Sequence, residues 1–211
     1  VTALLRSLCA ALALLLAATT APAAYAAPPP LKASFKDGRT SDPAVDISRV
    51  SFEGSWYWTS EQYVRVAVPG GFRTGHRLTV WFDVDGDSTP DGHYTLRLGE
   101  VKNRKQGYLR DEQEFRLGGG WGYAGTKVRC SGDDGYAQPE SSYVKRGQRE
   151  IGLALDLWNC LRRSAPVSDD DSGSWRVSVE VSRGRLSDHA PGPERWSPAV
   201  AGWGPCDQGA C

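Results

Sequence analysis

Period-two alternation is the feature that most narrows what this chain can fold into. Val64, Val66 and Val68 alternate with Tyr63, Arg65 and Ala67, and Leu78, Val80 and Phe82 alternate with Thr79, Trp81 and Asp83. The rhythm returns at Tyr94, Leu96 and Leu98, at Ile151, Leu153 and Leu155, and at Trp175, Val177, Val179 and Val181. Successive side chains of a strand point to opposite faces, so an apolar set at alternate positions marks one buried and one solvated face. With the segments at 45–52, 113–117 and 126–130, the pattern predicts about eight strands separated by turn residues. The expected fold is all-β: a disulfide-bonded antiparallel sandwich, jelly-roll or immunoglobulin-like. Only residues 156–163 (DLWNCLRR) read as a helical turn.

The first 26 residues stand outside this pattern. Arg6 precedes the apolar run Leu8 to Ala18, and Ala24-Tyr25-Ala26 offers small residues before a cleavage site. That order is a secretory signal peptide, which predicts cleavage after Ala26 and a secreted, extracellular protein. The expected division is a signal over 1–26, a Pro-rich linker over 27–44, a β-sandwich over 45–201 and a Gly/Pro/Cys-rich tail over 202–211. Valine at position 1, the absence of methionine and the Ala, Gly, Arg and Pro bias point to a GTG-started gene of a high-GC bacterium.

The chain has 25 basic and 25 acidic side chains, and loss of Arg6 with the signal leaves one net negative charge. Nucleic acids and anionic membranes select a basic surface, so neither is an expected partner. No stretch after the signal is apolar enough to span a bilayer. A chain of this size buries roughly 70% of its unfolded surface, enough for one self-sufficient domain.

Four cysteines follow the signal: Cys130, Cys160, Cys206 and Cys211. In an exported chain an even number reads as two disulfides, with three pairings open. Cys130–Cys160 is the favoured bond, worth about 3–4 kcal/mol in the chain-entropy model, with a small terminal ring Cys206–Cys211. There is no C-x-x-C or His-bearing zinc spacing.

The segment WFDVDGDSTPDGHY (81–94) holds Asp83, Asp85, Asp87 and Asp91 between two alternating stretches. Calcium takes six to eight oxygens, and D-x-D-x-D supplies three carboxylates on one side of a loop. The loop departs from an EF-hand at Ser88, where glycine belongs, and at Tyr94, where a bidentate glutamate belongs. The competing reading is a hairpin whose aspartates bond their own backbone. Calcium is the one candidate cofactor, and none is required by the sequence.

Trp56 and Trp58 share one face of their segment, and Tyr63 and Trp81 fall on the outward registers of their strands. A row of exposed aromatics stacks on sugar rings or anchors a partner; alternatively, the same residues cover a sheet. Gly120-x-Gly122-x-x-Gly125 matches a dinucleotide fingerprint, but a strand-like segment follows it in place of the helix that binds phosphate. It reads as a flexible glycine loop. There is no G-x-S-x-G elbow and no H-E-x-x-H, and His76, His93 and His189 have no nucleophile pattern beside them. The acidic run at 168–174 reads as a solvated loop.

Five segments together resemble a group of secreted proteins of high-GC Gram-positive bacteria without assigned activity. They are Asp46-Ile47-Ser48-Arg49-Val50, the Asp83 to Asp91 hairpin, Val128-Arg129-Cys130-Ser131-Gly132, Cys160-Leu161 and Trp175-Arg176-Val177-Ser178-Val179. The likeness spans about residues 45 to 182. It implies a β-sandwich and a Cys130–Cys160 bond; Cys206, Cys211 and the tryptophan content depart from it.

The expected function is a secreted, non-catalytic extracellular binding or accessory protein, with extracellular polysaccharide or a protein as partner and calcium in the hairpin. The runner-up is a small secreted hydrolase using carboxylates of the aspartate loop. A third reading is a structural or inhibitory protein.

Overall fold

A computed structural model describes residues 30–37, 42–54, 61–103, 105–129, 137–140, 143–156, 160 and 174–201. Among them are twelve strands. A five-stranded sheet contains β1 (Lys32–Phe35), β2 (Arg49–Glu53), β3 (Glu61–Ala67), β8 (Ala137–Pro139) and β9 (Glu150–Asp156) in the order β1-β2-β3-β9-β8. The second sheet contains β4 (His76–Asp83), β5 (Gly92–Asn103), β6 (Tyr108–Leu117), β7 (Thr126–Val128), β10 (Ser174–Arg183) and β11 (Leu186–Ala190). Its order is β11-β10-β4-β5-β6-β7, with the short β12 (Val200–Ala201) also paired to β10. Every pairing is antiparallel. The meander β4-β5-β6 and the return of β10 to the flank of β4 give the strand order of a Greek key.

The apolar registers read from sequence all turn inward. Val64, Val66, Leu78, Val80, Leu153 and Val179 are each 0% exposed and belong to one continuous core between the sheets. Each such side chain contributes about 1.5–3 kcal/mol by leaving water, and together these residues fix the register of both sheets.

Twelve strands exceed the eight expected, because four carry little pattern. β1 (KASF), β8 (AQP), β11 (LSDHA) and β12 (VA) are short or largely polar and are recruited as neighbours of stronger strands. β1 lies inside the segment 27–44 read as a linker, pairing with β2 and burying Ala33. Residues 1–26, Trp56, Trp58, Cys130, Cys206, Cys211, the acidic run up to residue 173 and the tail from 202 lie outside the described residues, as does most of 156–163. Cys160 is buried and disulfide-bonded.

Candidate functional site

The aspartate loop closes the β4–β5 hairpin, where Asp91 N–H donates to the Phe82 carbonyl at 2.8 Å. Asp83 Oδ1 accepts from Gly86 N–H at 2.8 Å, Asp85 Oδ1 from Asp87 N–H at 3.0 Å, and Asp87 Oδ1 from Thr89 N–H at 2.6 Å. Asp91 Oδ2 reaches back to Val84 N–H at 2.8 Å. These are the self-bonded turns of the hairpin reading.

Carboxylate oxygens of Asp83, Asp85 and Asp91 nevertheless lie within 4.8 Å of one another. Asp87, the fourth residue of the expected set, is not part of this group. Asp83 is fully buried, and its other oxygen accepts a hydrogen bond from the Arg176 guanidinium on β10. Burial raises the Asp83 pKa above the ordinary range, against the pull of Gly86 N–H and Arg176. Burial chiefly, then repulsion from Asp85, Asp83 and Asp87, pushes Asp91 up to about 6 despite the Val84 bond.

The aspartates sit beside the outward face of the six-stranded sheet, and the centre of that face is not solvated. Thr79, Trp81, His93, Thr95, Ser178 and Glu180 point away from the core, yet none exceeds 7% exposure. Trp81, expected on an exposed register, is 3% exposed. The register was right; a cover lies over it. Tyr63 faces outward from the opposite sheet, with the Arg65 guanidinium 5.7 Å from its ring centre. Tyr63 and Trp81 therefore do not form one row.

The cover is the glycine loop 118–125, which leaves the end of β6 and folds back across β5 and β4 to β10. Five of its eight residues are glycine, and Gly118, Gly119, Gly120 and Gly125 have φ of 65°, 86°, 59° and 113°. At its neck a Cβ on Gly119 would lie 2.3 Å from the Ala124 carbonyl oxygen, so only glycine fits. The loop brings Tyr123 over Trp81 (ring centres 5.8 Å) and edge-on to His93 (6.2 Å). Tyr123 Oη donates to Glu180 Oε2 at 2.5 Å and accepts from Arg77 at 2.7 Å, while Arg77 also meets Glu180 Oε1 at 3.1 Å. Burial first, then the adjacent Glu180 carboxylate, raises the Tyr123 pKa. His93 Nδ1 is buried with no hydrogen-bond partner, and burial followed by the Arg116 charge lowers the ring's pKa.

The same loop sets Trp121 against Trp196, with ring centres 4.6 Å apart and both side chains half-buried. Trp196 is held from below: Ser197 N–H donates to the Val177 carbonyl at 2.9 Å, and Trp196 Nε1–H donates to the Ser88 carbonyl at 3.1 Å. Arg176 joins the two regions, since it binds Asp83, lies 3.3 Å from Ser88 Oγ and sits 5.7 Å from the Trp196 ring centre. Aromatic pair and aspartate loop form one continuous patch. No protein-family model, curated protein or solved structure matches the chain.

Two other features were invisible in the sequence. Asp37, Asp46 and Asp188, far apart in the chain, bring carboxylate oxygens within 4.8 Å of one another, and Asp188 accepts from Ile47 N–H at 2.7 Å. A cavity of about 170 Å³ opens beside His76, Arg73 and Arg183. His76 is a structural residue there: its Nδ1 accepts from Arg73 N–H at 2.9 Å and its Nε2 lies 2.7 Å from the Ala44 carbonyl. Trp121, Tyr123, Arg176 and Trp196 were the functional candidates that sequence reading missed. The only signal for the first two was two aromatics set among glycines, which favour a loop that must approach another surface closely.

Proposed function

We propose that this is a secreted, non-catalytic binding protein whose ligand is an extracellular polysaccharide, engaged by the Trp121–Trp196 pair with calcium in the adjoining aspartate loop. The observation that carries the reading is the continuity of these two features through Arg176, Ser88 and Trp196. Half-buried aromatic rings held rigidly by their neighbours offer apolar faces to sugar rings at little entropic loss. Asp83, Asp85 and Asp91 supply hard oxygen ligands of the kind calcium takes, and the absence of a glutamate at the end of the loop puts the expected affinity at about 10⁻⁴ to 10⁻³ M. Arg176 competes for Asp83, which weakens metal binding further.

Retention on insoluble cell-wall and plant polysaccharides, with calcium and with chelator, tests the proposal. Retention on at least one polysaccharide is expected, reduced about tenfold or more by Trp121→Ala or Trp196→Ala and weakened by chelator; tenfold corresponds to about 1.4 kcal/mol. Flow-through on every polysaccharide in both conditions would sink it.

The hydrolase reading has one observation in its favour, the raised pKa of Asp91, which suits a general acid. Its would-be partner Asp83 is 0% exposed and already engaged by Arg176 and Gly86 N–H, which leaves it out of reach of a substrate much larger than a metal ion. Binding is the better-supported function.

The proposal includes export and a Cys130–Cys160 disulfide, motivated by the signal-like first 26 residues and by the buried, disulfide-bonded Cys160. Mass spectrometry of protein from culture medium, intact and after non-reducing digestion, checks both. A mature N-terminus at Ala27 and a peptide joining Cys130 to Cys160 are expected; a chain retaining residues 1–26, or Cys160 joined to Cys206 or Cys211, refutes the corresponding part.

A further inference from the structure

The way Tyr123 sits is unusual for a loop tyrosine. Its ring packs against Trp81 and His93, and its hydroxyl ends between a carboxylate and a guanidinium that are themselves paired, Glu180 and Arg77. The Arg77 guanidinium also lies 4.0 Å from the centre of the Tyr123 ring. A ring tilted at 46° to Trp81 and edge-on to His93, with a hydroxyl bridging an acid and a base, combines the two kinds of contact a sugar ring needs: an apolar edge against aromatics and a hydroxyl both donating and accepting.

The surroundings extend that match. Thr79 and Thr95 place their hydroxyls 3.3 Å apart on the same floor, and Ser178 flanks Trp81 in the strand register. His93 Nδ1, on a side chain 2% exposed, has no partner while the loop is closed. An unpaired buried nitrogen of this kind is destabilising, and a ligand hydroxyl would satisfy it.

Between its ends the cover is attached by side chains alone. Among the described residues no main-chain hydrogen bond ties residues 119–124 to the sheet. The loop is anchored at its ends by Gly118 N–H to the Asp91 carbonyl at 2.7 Å and by Arg116 to the Gly125 carbonyl at 2.9 Å, and between them it is attached by the Tyr123 hydroxyl, by ring contacts and by Trp81 Nε1–H to the Gly122 carbonyl at 3.5 Å. Glycines at both ends give it the backbone freedom of a hinge.

We infer that Tyr123 is a built-in stand-in for a sugar. The slot it fills, floored by Trp81 and His93 and ended by Glu180 and Arg77, is a binding site for one pyranose ring, and the 118–125 loop is the lid that lifts to admit it. This rests on the polysaccharide reading above and adds to it a second, gated subsite beneath the Trp121–Trp196 surface. A purely aromatic ligand would use the ring floor but leave the hydroxyls of Thr79, Thr95 and Ser178 without a role. A neutral sugar uses both.

Closure hides the slot, so the apparent affinity of the natural chain is lowered by the fraction of molecules in which the lid is open. Calorimetric titration with hexasaccharides of β-1,4-linked glucose and of N-acetylglucosamine tests this on the full mature chain. Tyr123→Ala, which empties the slot, is expected to bind at least one of them about tenfold more tightly than the natural chain. Tyr123→Phe keeps the ring but loses both hydrogen bonds and should fall between the two. Adding Glu180→Gln to Tyr123→Ala should return the affinity to the natural level or below.

A folded Tyr123→Ala protein that binds no more tightly than the natural chain overturns the proposal. Should that variant fail to fold, Tyr123→Phe decides on the same criterion. If Trp121→Ala and Trp196→Ala abolish binding while the Tyr123 variants leave it unchanged, the surface platform stands and the slot falls. If no variant binds either sugar, both fall.

Discussion

The outward faces of both sheets carry ion pairs, but the centre of one face is covered and the other is open. On the five-stranded sheet, Lys32–Glu53 (2.9 Å), Arg49–Glu150 (2.7 Å) and Arg65–Glu140 (2.6 Å) form a carpet of ion pairs open to water. On the six-stranded sheet, Arg77–Glu180 (3.1 Å) is covered by Tyr123, and the Glu180 side chain is 9% exposed. Exposed pairs exchange water for one another with little net gain, whereas covered charges lose hydration and depend on each partner being present. The first face needs no explanation beyond solubility. The second carries polar groups under cover at an energetic cost, which is the kind of local inconsistency expected of a functional surface.

The largest way to break this comparison is to remove one arginine from each face. Arg77→Ala leaves the buried Glu180 carboxylate under the loop with Tyr123 and the more distant His189, and should destabilise by about 1–3 kcal/mol, the cost of a buried charged acceptor losing a partner. Arg65→Ala, its matched control, should change stability by about 0–1 kcal/mol. Urea unfolding of both variants checks the contrast, and equal effects would mean that the two faces are energetically alike.

A smaller effect sharpens it through pH. Burial, and then Arg116, lowers the His93 pKa below its ordinary 6.5, so the unfolded chain takes up a proton that the folded chain resists. The unfolded state then binds more protons as pH falls through and below about 6.5, and stability is lost in that direction. Glu114, also close to His93, opposes the shift without reversing it. The stability difference between the natural chain and His93→Gln should therefore vary with pH only below about 6.5. A difference that stays flat from neutral to mildly acidic pH would show that His93 titrates as freely as a histidine on an open face.

Much of the architecture is legible in the sequence. The inward registers of β3, β4, β5, β9 and β10 follow from alternation alone, because a strand's side-chain period is two and only one phase can be buried. The hairpin at Asp83 to Asp91 was equally plain, since its Asp and Gly residues make local bonds that depend on few distant partners. Of its four aspartates, however, three converge and Asp87 turns away to Thr89. That depends on the φ of individual loop residues, including 75° at Ser88, which the spacing of aspartates does not encode.

The candidate site was mostly illegible. Trp81 and Tyr63 have identical periodicity, yet one is covered and the other lies on the far sheet, because periodicity assigns a face and says nothing of what lies over it. Trp121, Tyr123 and Trp196 come from a glycine loop and a strand-poor segment, which have no period to read. Their partners Glu180, Arg77 and Ser88 are distant in sequence, and contacts of that range are set by how the sheets are ordered. The sequence by itself determined the class of fold, the core and the strand faces, for these follow from local chemistry repeated at a fixed spacing. Only the tertiary structure decided which face is covered, which carboxylates meet and where aromatic rings gather, because those depend on the return of β10 beside β4 and on the path of one loop across three strands.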